Sequence, residues 1–157
     1  MSHQSPMSHQ SPTNFLPKHG GYRNLLTYQR AEIIYDATIY FTRRFYKVGD
    51  RTIDQMVQAA RSGKQNIAEA SLASATSKES EIKLTNVVRA SQKELLIDYQ
   101  DFLRIRQLSE WTIKHPYAQR MTYLCKNAPS EYGTFKKGIS LILSAGVLVQ
   151  EFSSYLH

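Results

Sequence analysis

Apolar side chains recur at helical spacing in four stretches of this chain, and no stretch alternates in polarity as a strand would. The four stretches are residues 23–46, 52–73, 77–108 and 139–155. Residues 111–138, which precede the last stretch, are punctuated by proline and glycine and leave room for one short helix at 117–126. The pattern predicts an all-α fold, an antiparallel up-down four-helix bundle with a short helical insertion before the last helix.

The length of 157 residues suits one domain with its own core. We expect a flexible N-terminal tail over residues 1–22, which begins with two copies of MSHQSP, and the bundle over 23–157, with the insertion at about 109–138. No apolar run approaches the roughly 20 residues that would span a membrane, so no membrane partner is expected. Cys125 is the one cysteine, which predicts a reducing, cytoplasmic environment.

Local signals predict the helix boundaries and the apolar faces. T-I-D-Q has the form of a capping box with Thr52 as N-cap and Gln55 reaching back, and Thr76 with Glu79 repeats that form. The glycine in KVGD predicts the end of the first helix, whose wide apolar surface indicates several neighbours, in its own bundle or in another subunit. The predicted apolar face of the third helix consists of Leu84, Val87, Val88, Leu95, Tyr99, Phe102, Leu103 and Ile105.

The formal charge of +7 favours a polyanionic partner such as RNA or DNA, although many basic proteins bind neither.

Polar residues of the third helix recur on the side opposite its apolar face. These residues are Asn86, Arg89, Lys93, Gln100 and Arg104. Cations and amides on one helix face suit phosphate contacts that do not read sequence. The alternative interpretation is a solvated helix face, with Glu94 and Asp101 close by.

Lys64 interrupts the apolar stripe of the second helix, since a helical wheel places it between Val57 and Ala60. Its ammonium group either extends to the surface along its aliphatic stem or faces a space between subunits, where a polyanion would neutralise it. Arg61 lies on the same helix about one turn away. We therefore predict a nucleic-acid site with backbone contacts from several cations. Its residues are Arg61, Lys64, Arg89, Lys93 and Arg104.

Two motifs resemble one protein family. QMVQAARSGKQNIAEA at 55–70 is similar to the Q-x-x-x-A-A-x-S-x-x-x-N-I-A-E-G signature of bacterial four-helix-bundle proteins encoded in intervening sequences of large-subunit ribosomal RNA genes. ASQKEL at 90–95 resembles the G-S-x-x-E-L segment of their third helix. The same family includes the accessory variability determinant of diversity-generating retroelements. YQRAEIIYDATIYF and HPYAQR look closest to the branch of four-helix-bundle suffix-domain proteins.

The resemblance covers roughly residues 23–137 and departs from the pattern at Ala70 and Ala90, where glycine is expected. It implies an antiparallel bundle, assembly into a homopentamer, binding to nucleic acid or to a reverse transcriptase, and no catalytic residues. The polar signature positions are assigned a structural role. They are Gln55, Asn66, Glu69, Ser91 and Glu94. For Asn66 and Glu69 we expect capping or bridging of the adjoining helix and loop.

The small residues around Gly63 predict a close approach between helices rather than a binding surface. They are Ala59, Ala60, Ser62, Gly63, Ala68 and Ala70.

No histidine or cysteine has a neighbour at metal-ligand spacing, and no phosphate loop or nucleophile elbow occurs, so we expect no catalytic residue, metal or cofactor. The primary hypothesis is a nonenzymatic, oligomeric nucleic-acid-binding protein. The alternative is a scaffold that docks a partner enzyme without binding nucleic acid itself.

Overall fold

The computed structural model describes residues 21–127. A 3-10 turn, Gly21–Asn24, precedes α1 (Leu26–Phe45), α2 (Arg51–Ala73), α3 (Lys78–Ile105) and α4 (Pro116–Asn127). This described part contains no strand, which confirms the all-α prediction. None of these helices is long and apolar enough to cross a membrane.

Three of the four predicted main helices are therefore in place, and α4 is the predicted short helix of the insertion. The predicted last helix, 139–155, lies outside the described residues, so the up-down order of four main helices stays a prediction. Most of the predicted tail, residues 1–20, also lies outside them. Its last residues belong to the 3-10 turn, where the ring of Tyr22 packs edge-on against Tyr28 with 4.8 Å between centroids.

The core lies where α1 ends, α2 begins and α3 ends. Its buried residues are Ile34, Ala37 and Phe41 of α1, Met56, Ala59 and Ala60 of α2, and Leu95, Tyr99, Phe102 and Leu103 of α3. Small residues on α2 allow both neighbouring helices to approach it, and α2 packs along α1 and α3. Partly buried Ile33, Tyr35 and Phe45 cover this core, so the broad apolar surface of α1 is largely used within one chain.

A polar pair crosses the core between α1 and α3. The Thr38 hydroxyl donates to the Ile34 carbonyl at 2.8 Å, so the Tyr99 hydroxyl, 3.0 Å from Thr38 Oγ1, is the donor in that second bond. Both side chains are fully buried. Burial raises the pKa of the Tyr99 hydroxyl far above its ordinary value, so it stays protonated and keeps this hydrogen bond.

The predicted capping residues are wrong by one or two positions. The N-cap of α2 is Asp50, whose carboxylate accepts from the Thr52 backbone N–H at 2.9 Å, and not Thr52. The N-cap of α3 is Ser77, which accepts from Ser80 N at 3.2 Å, and not Thr76. Each site offers two side-chain oxygens close together in sequence, and the backbone decides which one is used. Before Asp50, Gly49 has φ of +90°, a conformation that only glycine adopts freely.

The predicted apolar face of α3 is also wrong at two residues. Val87 and Ile105 are exposed, whereas Leu96, which was not included, is buried. Helical spacing places Val87 and Ile105 at the margin of the stripe, and because α2 is the main neighbour of α3 among residues 21–127, that margin faces solvent.

Candidate nucleic-acid interface

Arg89 and Lys93 lie one turn apart on α3, at the edge of an open groove of about 540 Å³. The groove forms where the start of α1, the second half of α2 and the first half of α3 meet; we call it the α1–α3 groove. Its apolar floor is made by Leu25, Ile67, Ala70, Val88 and Leu96. Arg89 and Lys93 therefore lie beside an apolar groove. The polar stripe predicted from the sequence did not include such a groove.

Arg89 and Lys93 are exposed, and neither forms an ion pair with any residue in 21–127. Two other lysines at the start of α3 are neutralised within the helix, because Lys78 pairs with Glu81 at 2.6 Å and Lys83 with Glu79 at 2.7 Å. Exposed pairs of this kind add little stability, but they reduce the local positive potential. The uncompensated positive charge of α3 is therefore concentrated at Arg89 and Lys93.

Arg104 and Arg61 do not join this pair. Arg104 lies on the same face of α3 but about 16 Å further along the axis from Lys93, as the helical rise requires. Its guanidinium group binds the Asp101 carboxylate at 2.8 and 3.1 Å. Arg61 is exposed on α2 and forms no ion pair with a described residue. The structure therefore brings two of the five predicted cations together and places the others elsewhere.

Lys64 lies between α1 and α2, where its ammonium nitrogen is 4.4 Å from the centroid of the Tyr35 ring. The side chain is half-buried, and the aromatic face attracts its charge electrostatically. Burial and the neighbouring Glu32 raise the pKa of the Asp36 carboxyl, and the Lys64 ammonium group opposes that rise. Within the chain Lys64 therefore has a local role, as a cation held against Tyr35 and close to Asp36.

Four of the five signature residues lie along the contact between α2 and α3. Gln55, Ser91 and Glu94 line a shallow polar cleft of about 440 Å³, together with Ser62. The Ser62 and Ser91 hydroxyl oxygens are 2.9 Å apart and link the two helices. Asn66 Nδ2 donates to the Ser62 carbonyl at 2.8 Å and to its hydroxyl at 3.2 Å.

The expected bridging by Asn66 and Glu69 is therefore wrong in its details. The Asn66 side chain forms its hydrogen bonds within α2, to Ser62. The hydrogen bond to α3 is made by Ser62, whose hydroxyl group contacts that of Ser91. Glu69 is exposed and has no hydrogen bond or ion pair with a described residue. A serine on each helix can face its counterpart only when the backbones are close, which the small residues of α2 allow.

The predicted close approach is confirmed at Gly63. A Cβ atom added there would lie 2.1 Å from Nε2 of Gln92 and 3.0 Å from its Cδ. Gln92 is buried, and its Oε1 has no hydrogen-bond partner among the described residues. Sequence reasoning missed Gln92. The signal was its spacing, since Val88, Gln92 and Leu96 follow at intervals of four on the buried face of α3.

The Asp98 carboxyl on α3 predicts a pH dependence of the stability of the fold. Burial, followed by the charges of Glu94 and Asp101, raises the pKa of the Asp98 carboxyl in the folded chain. The folded state then binds a proton more tightly than the unfolded state, so stability falls as the pH rises through the folded pKa. We expect Asp98→Asn to raise the free energy of unfolding at pH 7, by less than about 1 kcal/mol because the group is partly solvated.

At pH 3, below the ordinary pKa of aspartate, Asp98→Asn should no longer raise the free energy of unfolding. Urea denaturation of both proteins at pH 3 and pH 7 measures this difference. Asp50→Asn is the control of opposite sign. Hydrogen bonding from the Thr52 N–H lowers the pKa of Asp50, so its contribution is present at pH 7 and lost on acidification. An equal gain for Asp98→Asn at pH 3 and pH 7 would contradict this interpretation.

Within residues 21–127, no group of three or more His, Cys, Asp or Glu side chains is placed to hold a metal ion. The described part contains two exposed, unpaired cations, Arg89 and Lys93, beside an apolar groove, and a cleft lined by polar residues between α2 and α3. Comparison of the chain with known protein families, with curated proteins and with solved structures gave no match.

Proposed function

We propose that this chain is a nonenzymatic, oligomeric nucleic-acid-binding protein of the four-helix-bundle family that its motifs resemble. The resemblance suggests an accessory role for a retroelement reverse transcriptase or for a ribosomal RNA intervening sequence. One observation supports nucleic-acid binding most directly. Arg89 and Lys93 are adjacent, exposed and without acidic partners, whereas Lys78, Lys83 and Arg104 elsewhere on α3 are paired with acids.

The proposed contacts are to phosphate and carry no sequence information. A single exposed cation binds phosphate weakly, so the same pair repeated in a homopentamer would act through counterion release and avidity. The number five rests on the resemblance alone. The apolar side chains of Ile82, Val87 and Ile97 on α3 are exposed in the single chain and would be available for contact with further copies.

The test is a double substitution, Arg89→Gln with Lys93→Gln, because glutamine keeps helix propensity and removes both charges. We expect weaker binding to RNA and DNA of unrelated sequence, and a salt slope lower by about 1 for each cation removed. Fluorescence anisotropy at several salt concentrations measures both quantities. Light scattering gives the copy number and checks that the variant retains it.

The matched control is Lys78→Gln with Lys83→Gln, which removes the same charge from the same helix. Those lysines are already paired with Glu81 and Glu79, so the control should change the slope much less. Equal effects of the two double variants would show that net charge alone matters. Lys64→Met should leave binding unchanged, because its ammonium group is held against Tyr35.

The α1–α3 groove supports the second candidate, a scaffold for a partner enzyme. Its apolar floor and the cations Arg89 and Lys93 at its edge, where Glu81 is already paired with Lys78, suit an amphipathic helix with acidic residues on its flank. A partner that stays bound after nuclease treatment and is lost in Ala70→Glu, a change on the groove floor, would favour the scaffold. Retention of nucleic-acid binding in the same variant would favour the phosphate contacts.

A further inference from the structure

Three aromatic rings form a cluster between the end of α3 and the start of α4; we call it the aromatic cluster. The rings of Trp111 and His115 are parallel within 5°, with centroids 4.3 Å apart. The Tyr117 ring lies 5.4 Å from Trp111 and 5.5 Å from His115. Trp111 also packs against the buried core, so the cluster is anchored to the rest of the fold.

The cluster is held in a fixed geometry by the start of α4. His115 Nδ1 accepts a hydrogen bond from the backbone N–H of Tyr117 at 3.3 Å, which restrains the imidazole ring. The Gln119 N–H bonds to the His115 carbonyl at 3.0 Å, so this residue precedes the first helical turn. A surface that is already ordered loses little conformational entropy when a ligand binds.

Aromatic surface remains open to solvent on the outer side of this cluster, since Tyr117 is 39% exposed and His115 is half-buried. Two cations lie close to it in sequence, Lys114 and Arg120, both exposed and neither in an ion pair with a described residue. Arg120 lies three positions after Tyr117 and therefore on the same side of α4. The one acidic residue in 110–127 is Glu110.

We propose that the aromatic cluster is a binding site for unpaired nucleobases, so that the chain prefers single-stranded nucleic acid. Bases stack on the exposed rings of Tyr117 and His115, and Arg120 and Lys114 contact the adjoining phosphates. An aromatic face with neighbouring cations is the arrangement that binds single strands without reading sequence. The inference rests on the proposed function and specifies its ligand, because stacked bases inside a duplex do not reach such a site.

The test compares a labelled oligodeoxythymidylate with a mixed-sequence duplex of equal length, using the full chain and fluorescence anisotropy. The key variant is Tyr117→Ala. We expect single-strand affinity to fall by about fivefold or more, the effect of losing one stacked base, and duplex affinity to stay unchanged. Tyr117→Phe retains the ring and should restore single-strand binding. Trp111 is the single tryptophan, so single-strand binding should also quench the intrinsic fluorescence.

Tyr123→Ala is the matched control. Tyr123 is on the same helix and 66% exposed, and no ring contact joins it to Trp111, His115 or Tyr117, so its loss should change neither affinity. Equal losses for Tyr117→Ala and Tyr123→Ala, or equal affinity for single strand and duplex, would overturn the base-stacking site and leave the phosphate contacts of Arg89 and Lys93 standing. Absence of binding to either oligonucleotide would overturn both proposals.

Discussion

Phe41→Ala is expected to lower the free energy of unfolding by about 3–5 kcal/mol, the usual cost of removing a buried phenylalanine side chain. Phe41 is 1% exposed and lies where α1 meets α3. Its ring is 4.8 Å from both Tyr99 and Phe102 and 5.0 Å from Phe45, in edge-to-face or tilted arrangements. Such aromatic pairs add stability beyond their buried area, so the cavity left by alanine would lose several contacts together.

Urea denaturation at one fixed protein concentration measures this loss, because an oligomer has a concentration-dependent stability. Val48→Ala is the control, since the Val48 side chain is fully exposed and its truncation should change stability by no more than about 0.5 kcal/mol. If Phe41→Ala does not fold, Phe41→Leu preserves most of the volume and should cost less than half as much. Similar stabilities for Phe41→Ala and Val48→Ala would contradict the placement of the core.

The positions of the helices could be predicted from the sequence because periodicity and breaking residues are local signals. α2 and α3 begin and end within a few residues of the predicted limits. The caps could not be chosen, since Asp50 and Thr52 both carry a suitable oxygen and only the backbone geometry before the helix distinguishes them. The exposure of Val87 and Ile105 also depends on which helices stand beside α3, which periodicity does not specify.

The candidate sites were less predictable because they depend on contacts between residues far apart in sequence. The helical wheel identified Arg89 and Lys93 as exposed, but the groove beside them needs α1 and α2 in place. It could not place the Lys64 ammonium group over Tyr35, a residue of another helix. The aromatic cluster was missed since Trp111 and His115 belong to an irregular segment without a periodic signal.

Gly63→Leu is expected to destabilise the chain by about 1–3 kcal/mol, the range for overpacking a well-filled interior. The first added carbon would already overlap the Gln92 amide, and the branched end of leucine needs the remaining space between α2 and α3. Replacing glycine in a helix raises helix propensity by less than about 1 kcal/mol, which offsets only part of this cost. Gly63→Ala adds only that first carbon, from which the far end of the Gln92 side chain can turn away, so it should be much milder.

The destabilisation by Gly63→Leu is attributed to the space that the Gln92 side chain occupies. A double-mutant cycle of Gly63→Leu and Gln92→Ala tests this attribution directly. Gln92→Ala alone should change stability little, because it removes a buried oxygen without a partner but leaves a small cavity. In combination with Gly63→Leu it vacates the space that leucine needs, so the double variant should regain most of the lost stability. The expected coupling energy is at least about 1 kcal/mol. Additive effects of the two substitutions would show that Gly63 is required for its backbone and not for the packing of Gln92 against it.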